Sequence, residues 1–562
     1  MTAIAIKSFD GMYPVINSRL LKDNAAQSAV NTKITGGSLK PYKASTTIVE
    51  KRSAGSPVTI YRFGQGETVE TQYWLEFTAD ADVVRGPVAG DIYERTYYTV
   101  SGQEPRMTTS QLVPGASVYP NGYYRLGVPP PTSSASVALS GTASDTVQEL
   151  RFYVYTFVST YGEEGPPSAV SSISVGTGQG VTLSSMSTAP SGGGYNINRK
   201  RIYRTVSGTS ATDFQFVAEV AAATTSYTDT KTSGQLGEVI QSDGWYPPRS
   251  SVHNEPGGSA FSPTVVDPSP YTLTGLTLMA NGIMAGFAGN IVCFSEPYMP
   301  HAWKRESELV SDYQIVATKA FGQSLAVLTA AYPYLIQGSD PASMTMTRLD
   351  ELQACSSKRS AVTMSGGVVY ASPDGLVQIN NGGVQLLTKG LFTKEEWQAY
   401  KPSSIHAYQY DGRYFGFYNN GVTSGCLVFS FNGQEPSLVT LDLTATAGFV
   451  EPLTDSLYLL VGSNIVKFDS GSALTYTWKS KRFTLPKPEN LGVAQVVAKT
   501  YPVNLTINSF DTDTSFTKSV DNSNAFRLPA GKRYNTIDVQ VSGTAEVEQI
   551  LLSSSMDEMK QL

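Results

Sequence analysis

The sequence predicts an all-β protein. Hydrophobic residues make up 41% of the 562 residues, which is enough to form cores, and Tyr (32) and Gly (50) are abundant. Tyr and Thr fit the half-buried surface of a pleated sheet, whereas Gly permits the tight turns that join short strands. Apolar and polar residues alternate in many short segments, and helical periodicity is weak. A chain of this length is expected to form roughly three or four domains.

The first 45 residues are predicted to form an N-terminal strap (1–45) that adds an edge strand to a sheet. A partner-binding arm is the alternative role for this strap. It contains one short helix candidate, from Asp23 to about Val30, between extended segments.

Residues 46–137 are predicted to be the first β-rich part of the core, followed by a linker. Alternating strands such as PVTIYRF (57–63) and TQYWLEF (71–77) precede the Pro/Ser/Ala segment PPPTSSASV (129–137). Proline and small polar residues in a run are typical of a domain boundary.

Residues 138–245 are predicted to be an inserted β-sandwich. RFYVYTFVST (151–160) alternates strictly, the turn YGEEGPPS (161–168) follows, and alternation resumes. Together with the later strands IYRT (202–205) and TSYTDT (225–230), this order resembles fibronectin type III domains.

Residues 246–480 carry a repeated strand–turn–strand pattern that predicts a β-propeller-like core. Each repeat has two apolar strands separated by Gly, Asn or Asp, residues that tolerate the positive φ of hairpin turns. A spacing of roughly 35–50 residues suits propeller blades, which leave few exposed sheet edges. The repeats are 282–297, 323–341, 366–388, 408–431 and 455–471.

One convincing helix interrupts this pattern. In TKEEWQAY (393–400), Thr393 is a predicted N-cap and Glu396 stands three residues on, as in a capping box. The remaining residues, 481–562, alternate again and are predicted to form a closing blade or a small sandwich.

The sequence predicts no catalytic, cofactor-binding or metal-binding residues, so the protein is not expected to be an enzyme. Nucleophile-elbow, HExxH, P-loop and EF-hand motifs are absent, and GTGQG (176–180) lies between alternating strands and reads as a turn. The histidines His253, His301 and His406 show no metal-ligand spacing. Of these, His301 is the best acid–base candidate, although a histidine bonded to a turn carbonyl is the favoured interpretation.

Carboxylates and cysteines are likewise interpreted as structural. Paired acids at turns and helix starts are ordinarily solvated or capping, although such pairs serve glycoside cleavage in other proteins. The candidate pairs are Glu163–Glu164, Asp350–Glu351, Glu395–Glu396 and Asp511 with Asp513. The cysteines are odd in number, lie far apart and are expected to pack as small hydrophobes; they are Cys293, Cys355 and Cys426.

The charge balance argues against a protein that wraps or reads nucleic acid. The net charge is −6, whereas such binding needs Lys and Arg to neutralise phosphates. The cluster Arg199, Lys200 and Arg201 is interpreted as a solvated strand edge in preference to a nucleic-acid patch. Charged residues are only 16%, below the ~25% usual in soluble domains, which favours a surface covered by neighbouring subunits.

No signal peptide and no run of about 18 apolar residues is seen, so neither secretion nor a membrane-spanning helix is expected. The protein is expected to fold in a reducing cytosol.

The segment IVCFSEPYMPHAW (291–303) is the most distinctive in the chain. A short apolar strand is expected to lead into a stiff, proline-rich loop, because Pro297 and Pro300 fix φ and remove backbone donors. Glu296, His301 and Trp303 crowd into this loop and are interpreted as parts of a rigid scaffold.

Several blocks together resemble tail hub or tail nozzle proteins of short-tailed bacteriophages. Besides 291–303, they include QACSSKRS (353–360), YASPDGLV (370–377) and WKSKRFTLP (478–486). The strap adds a Gly-x-x-Pro turn, a Leu-Leu-x-Asp step, an Ala-Ala-Gln segment and a Gly-x-Leu-x-Pro strand. The matching strap residues are Gly11, Pro14, Leu20, Leu21, Asp23, Ala25, Ala26, Gln27, Asn31, Gly37, Leu39 and Pro41.

The resemblance implies a structural virion protein, made in the bacterial cytoplasm and located in the virion tail. It implies a homo-oligomeric ring, a homohexamer, that extends the DNA ejection channel and helps to retain and release the genome. Implied partners are further copies of the chain, a head-to-tail adaptor protein, tail fibres or other tail proteins, and viral DNA that passes without sequence-specific binding.

Two other hypotheses remain open. A carbohydrate-binding or polysaccharide-degrading propeller of the phage tail predicts clustered acids and aromatics at one mouth of the propeller. A secreted bacterial adhesin built from a propeller and a fibronectin-like module is disfavoured by the missing signal peptide.

Overall fold

The computed structural model describes residues 3–64, 69–190, 194–206, 213–250, 256–257, 265–266, 271–431 and 436–561. Of the histidines singled out above, His253 lies outside the described residues. Short antiparallel strands dominate, so the predicted all-β fold class is confirmed.

The strands up to residue 62 are β1 (Ala3–Ile6), β2 (Ala26–Val30), β3 (Thr32–Thr35), β4 (Ser38–Pro41), β5 (Thr46–Glu50) and β6 (Thr59–Arg62). Those from 74 to 348 are β7 (Trp74–Phe77), β8 (Ala81–Arg85), β9 (Thr96–Val100), β10 (Arg106–Thr108), β11 (Tyr124–Arg125), β12 (Ser136–Ser140), β13 (Gln148–Ser159), β14 (Ser171–Gly176), β15 (Gly180–Ser184), β16 (Ile197–Thr205), β17 (Phe214–Ala221), β18 (Tyr227–Asp229), β19 (Pro256–Gly257), β20 (Val265–Val266), β21 (Thr274–Leu278), β22 (Met284–Ala288), β23 (Ile291–Glu296), β24 (Met299–Trp303), β25 (Leu309–Val310), β26 (Ile315–Phe321), β27 (Ser324–Thr329), β28 (Tyr334–Gln337) and β29 (Thr345–Arg348).

The later strands are β30 (Val362–Met364), β31 (Gly367–Ser372), β32 (Gly375–Asn380), β33 (Gly383–Leu386), β34 (His406–Tyr410), β35 (Arg413–Asn419), β36 (Ser424–Ser430), β37 (Ser437–Leu441), β38 (Ala447–Glu451), β39 (Ser456–Val461), β40 (Asn464–Lys467), β41 (Tyr476–Ser480), β42 (Phe483–Glu489), β43 (Val493–Ala498), β44 (Val503–Ser509), β45 (Thr514–Val520), β46 (Phe526–Arg527), β47 (Tyr534–Gly543) and β48 (Val547–Ser553). The α-helices are α1 (Lys394–Ala399) and α2 (Met556–Met559).

Contacts divide the chain into two compact units. Unit 1 combines Met1–Gln72 with Glu351–Leu562, and unit 2 is Tyr73–Asp350. The division at residue 350 falls inside the segment 246–480 that the sequence assigns to propeller blades. The five domains proposed from the sequence therefore stay predictions.

In unit 1, the N-terminal strap supplies strands to sheets made by the C-terminal part of the chain. Strand β1 pairs with β48, with Ala3 opposite Ser553, and β4 of the hairpin β3–β4 pairs with the start of the same strand, with Leu39 opposite Val547. Strand β2 lies between β37 and β41, and β5 pairs with β40. The strap thus adds strands to two sheets, and β5, directly after it, joins a third, where the sequence predicted a single edge strand.

The helix predicted from Asp23 to about Val30 is wrong. Residues 26–30 form β2, whose backbone groups bond to β37 on one side and β41 on the other. Ala26 and Ala29 are buried in the main core of unit 1. Hydrogen bonding to β37 and β41 thus overrides the local helix propensity of Ala-Ala-Gln, because helix propensity is weak compared with tertiary pairing.

The rest of unit 1 consists of antiparallel meanders and a long mixed sheet. Strands β30–β33 form one four-stranded meander, and β38–β40 form another that β5 completes. Strands β34–β37 are consecutive in a ten-stranded sheet with β2, β41, β42, β44, β45 and β47. The core packs strap residues such as Phe9 and Tyr42 against Trp478 and Phe415. Four-stranded meanders of this kind are the unit from which propellers are built.

The described residues of unit 2 include three antiparallel sheets of four or five strands and a separate sandwich. Strands β8–β11, β21–β25 and β26–β29 form the three sheets. The sandwich has the sheet β12-β15-β18 and the sheet β14-β13-β16-β17, which enclose a core of their own. It runs from residue 136 to residue 229 and so overlaps most of the range 138–245 that the sequence assigned to an inserted sandwich, beginning two residues earlier.

The predicted helix at 393–400 is confirmed as α1. Thr393 Oγ1 accepts from the Glu396 amide at 3.2 Å, and the Glu396 carboxylate accepts from the Thr393 amide at 2.8 Å. This reciprocal capping box satisfies two backbone donors at the helix start. Trp397, on the inner side of the helix, is fully buried.

Candidate functional site

The segment 291–303 forms a β-hairpin, not the proline-rich loop that its sequence predicts. Strands β23 and β24 pair antiparallel around a turn at Pro297 and Tyr298, and Tyr298 has φ 57°. The register shifts between the pairs Glu296–Met299 and Ser295–Trp303. This bulge leaves Pro300 outside the ladder, so that its missing N–H costs no strand hydrogen bond.

The polar and aromatic side chains of this hairpin each have a different partner. Glu296 forms an ion pair with Lys304 at 3.2 Å, and Trp303 Nε1 donates to the Pro300 carbonyl oxygen at 2.8 Å. The ring of His301 lies 5.7 Å from that of Trp245, edge to face. The hairpin therefore gathers structural contacts and forms no acid–base pair among the described residues.

Both described histidines are neutral structural groups. Loss of hydration, with the nearby Arg95 guanidinium, lowers the pKa of His301 to about 3. Burial and Arg359 lower the pKa of His406 to about 3 as well. His406 is held by the Ala445 carbonyl oxygen at 2.9 Å and stacks on Phe417.

The pair Glu163–Glu164 is engaged in ion pairs and is not solvated as the sequence predicted. Glu163 is 7% exposed and pairs with Arg95 at 3.0 Å, and burial raises its pKa. Glu164 accepts from Arg201 at 2.9 Å and from Tyr203 at 2.8 Å. The two carboxylates thus bind different partners and do not face each other across a shared space.

The other candidate acids are exposed or support the local backbone. Asp350 lies 3.8 Å from Arg348 at the surface, and Glu396 belongs to the capping box of α1. Asp511 accepts from two backbone amides, those of Asn535 and Thr536. These contacts agree with the solvated or capping roles that the sequence predicts for such acids.

The basic cluster 199–201 lies on an interior strand, which corrects its interpretation as a solvated edge. Strand β16 runs between β13 and β17. Lys200 is fully buried, its Nζ donates to the Thr224 carbonyl oxygen at 2.6 Å, and burial lowers its pKa to about 8. Arg199 and Arg201 both bind Glu219, at 2.9 and 3.0 Å.

The three cysteines are free and buried, as the sequence predicts. Burial raises the pKa of all three thiols, to about 12 at Cys355. Across the described ranges, no three His, Cys, Asp or Glu side chains are grouped in a way that would hold a metal ion.

A polar cleft in unit 1 was not predicted from the sequence. This strap cavity has a volume of about 410 Å³ and lies between the N-terminal strap and strands β35–β37. Its strap side is lined by Asp10, Tyr13, Lys22, Thr32, Ile34, Gly36 and Tyr42, and its sheet side by Arg413, Val428, Ser430, Ser437 and Val439.

Arg413 is the cation at the inner wall of the strap cavity. Its Nη1 donates to Tyr42 Oη at 3.0 Å, and its Nη2 donates to the Ile34 carbonyl oxygen at 2.7 Å. The Arg413 guanidinium forms an ion pair with Asp411 at 3.6 Å, but this carboxylate is half exposed and lies closer to Lys33, at 2.8 Å. The guanidinium charge is therefore only partly balanced by its neighbours.

Two further polar groups complete the inner wall. Thr32 is 0% exposed, and its Oγ1 has no hydrogen-bond partner among the described residues. An unsatisfied buried hydroxyl is costly and unusual in a native protein. Tyr42 is 1% exposed, and burial raises its pKa, so its hydroxyl stays neutral.

One sequence signal marks this site. Arg413 begins β35 and shares a strand face with Phe415 and Phe417, which both lie in the main core of unit 1. An arginine on the same strand face as buried aromatic residues indicates a buried guanidinium that needs hydrogen-bond acceptors. The strap residues that supply those partners are distant in sequence, so their convergence was not predictable.

Comparisons with known proteins give no family. No protein-family model matches the chain, and no curated protein is similar to it. Among solved structures, BBS1N in complex with ARL6DN has a TM-score of 0.29 at 8% identity, covering 76% of this chain and 95% of that one. PorZ, a surface component of the type-IX secretion system of Porphyromonas gingivalis, has a TM-score of 0.25 at 8% identity, covering 89% and 82%. An exo-beta-1,3-galactanase from Phanerochaete chrysosporium has a TM-score of 0.20 at 9% identity, covering 50% and 95%.

TM-scores this low carry no argument about function. In the part of the chain that the structure describes, every helix is too short or too polar to span a bilayer.

Proposed function

We propose that the protein is a structural subunit of the tail nozzle or hub of a short-tailed bacteriophage. In this role, copies of the chain form a ring, a hexamer, that extends the DNA ejection channel. The ring helps to retain and release the genome and offers attachment surface to an adaptor protein and other tail proteins. The blocks at 291–303, 353–360, 370–377 and 478–486 support this identification by their resemblance to such proteins.

The observation that carries the proposal is the interleaving of the N-terminal strap with the C-terminal sheets. Strands β1 to β5 supply partners to β48, β37, β41 and β40, so the beginning of the chain is held within the sheets. Paired edges resist slipping and unwanted association with other chains. This construction suits a subunit that bears mechanical load.

The hairpin 291–303 supports a scaffold role in the same way. Trp303 is 1% exposed, and its backbone pairs with Tyr246 on one side and Ser295 on the other. Glu296 forms an ion pair, and His301 and Trp303 pack against neighbouring groups. Such structural contacts are expected in a subunit of an assembly.

The test is electron microscopy of the purified full-length protein by negative stain, together with cryo-EM of virions that carry it. The expected result is a ring with a central channel, located at the tail. A strictly monomeric protein at the periphery of the particle would refute the proposal. Of the carboxylates that a degrading enzyme would need, Glu163, Glu164, Glu396 and Asp511 are engaged in separate structural contacts.

A further inference from the structure

The strap cavity combines groups that the scaffold role does not explain. It brings a partly balanced cation, hydroxyl groups and an apolar wall together in one cleft. We propose that the strap cavity binds a small organic carboxylate that also carries hydroxyl groups. This inference does not depend on the tail-nozzle proposal.

Arg413 accounts for the carboxylate. A guanidinium presents several donors in a planar fork that matches a carboxylate, and it keeps its charge when buried. Arg413 is 8% exposed, so water competes weakly for its remaining donors. Lys22, on the exposed side of the cavity, adds a second positive charge.

Hydroxyl groups on the ligand account for the remaining polar lining. Thr32 Oγ1 is buried and has no hydrogen-bond partner among the described residues, and a ligand hydroxyl would supply that hydrogen bond. Ser430 and Ser437 stand opposite each other at the ends of β36 and β37, half-buried at the cavity wall. Asp10, which already accepts from Tyr13 at 2.8 Å, offers acceptor oxygens.

The apolar part of the lining favours a carbon skeleton over an inorganic anion. Ile34, Val428 and Val439 line the same space, and contact with C–H groups releases water from both surfaces. An inorganic anion such as phosphate would leave these side chains uncovered. The lining therefore matches a polyhydroxy acid, either open-chain or as a sugar ring.

The experiment is titration calorimetry of the full-length protein with three probes: sodium gluconate, sodium glucuronate and glucose. Saturable binding of either sodium salt, with glucose roughly tenfold weaker or more, supports the proposal, because glucose has no carboxylate to accept charge-assisted hydrogen bonds from Arg413. Gluconate alone indicates a free hydroxy acid, and glucuronate alone indicates a sugar unit. No saturable binding by either salt, or equal binding of glucose, overturns it.

The variant Thr32→Val separates binding from folding. It removes the unpartnered hydroxyl and keeps the side-chain shape, so the thermal midpoint should stay equal or rise while affinity falls roughly five- to tenfold. Thr506→Val is the matched control, since Thr506 pairs with Thr517 away from the cavity lining. Unchanged affinity in Thr32→Val would overturn the assignment of this site.

Discussion

The two units of this protein build similar sheets from very different stretches of chain. Unit 2 is continuous, from Tyr73 to Asp350, whereas unit 1 joins Met1–Gln72 to Glu351–Leu562. In unit 2, each sheet pairs strands that lie close together in sequence, as in β26–β29. In unit 1, Ala3 lies opposite Ser553, and Val49 lies opposite Ile465.

This difference teaches that similar sheets have different requirements for folding. A non-local pairing must overcome the entropy of closing a long loop before its contacts stabilise the fold. Unit 2 is complete once its own segment has been synthesised. Unit 1 needs both ends of the chain, so its strap and its C-terminal sheets are expected to fold or unfold together.

The largest expected effect comes from deleting residues 1–50. This deletion removes β1 to β5, exposes an edge of β40 and leaves β37 and β41 without the strand between them. We expect residues 351–562 to lose hydrogen-exchange protection and residues 73–350 to keep theirs, measured by exchange mass spectrometry. Leu20→Ser is the control, because Leu20 is 78% exposed in the strap. Equal loss of protection in both units would contradict the comparison.

A smaller loss of stability is expected from replacing one buried tryptophan in each unit. Trp478 of unit 1 is fully buried, donates to the Asp10 carbonyl oxygen at 3.0 Å and packs edge-to-face on Phe9 at 4.9 Å. We expect Trp478→Ala to destabilise unit 1, and Trp303→Ala unit 2, by about 3–5 kcal/mol each. Urea unfolding followed by exchange mass spectrometry assigns each loss to its unit. Trp478→Phe keeps a ring against Phe9 and should cost less; a loss shared by both units would contradict their separate cores.

Acid should weaken both units, because the described residues of each include a neutral histidine. The pKa values of His301 and His406 are lowered to about 3 in the folded protein, against about 6.5 in an unfolded chain. The unfolded state binds more protons between these values, so stability is complete above about pH 6.5 and falls as the pH drops towards 3. The slope approaches about 1.4 kcal/mol per pH unit for each histidine.

Urea midpoints measured between pH 7 and 4 check this slope. In His406→Gln, an amide group replaces the imidazole beside the Ala445 carbonyl oxygen, and the acid sensitivity of unit 1 should decrease while that of unit 2 is unchanged. His301→Phe should do the reverse. An acid sensitivity that is unchanged in the unit whose histidine was replaced would refute the assignment.

The smallest expected effect is at the start of α1. Thr393→Ala removes the oxygen that accepts from the Glu396 amide and should lower the stability of unit 1 by about 1 kcal/mol. Thr393→Ser keeps that oxygen and should be close to neutral. Thermal or urea unfolding distinguishes the two variants, and equal stability of the alanine and serine proteins would show that the capping box contributes little.

Local chemistry was sufficient to predict some elements. The Thr393–Glu396 capping box, the turn at 176–180 and many hairpins depend on neighbouring residues alone. Local chemistry does not give the right answer where a segment is compatible with two secondary structures. Residues 26–30 were predicted as a helix and form β2, and the proline-rich end of 291–303 was predicted as a loop and forms β24.

The strap cavity shows why a candidate site escapes sequence analysis. Thr32 and Tyr42 come from the strap, whereas Arg413 begins a strand far along the chain. Nothing in their spacing links them. Their proximity follows from the placement of β2 and the β3–β4 hairpin against the C-terminal sheets.

The sequence by itself determined that this protein is built from short antiparallel strands, because alternation, turn residues and caps act over a few neighbouring positions. Only the tertiary structure decided which sheets the strap joins, that β16 is an interior strand on which Lys200 is buried, and that Arg413 lies beside Thr32 and Tyr42 in one cavity. Those outcomes depend on which strand edges still need hydrogen-bond partners and which apolar surfaces still need to be buried. Segments far apart in the chain meet these needs as well as neighbouring segments do.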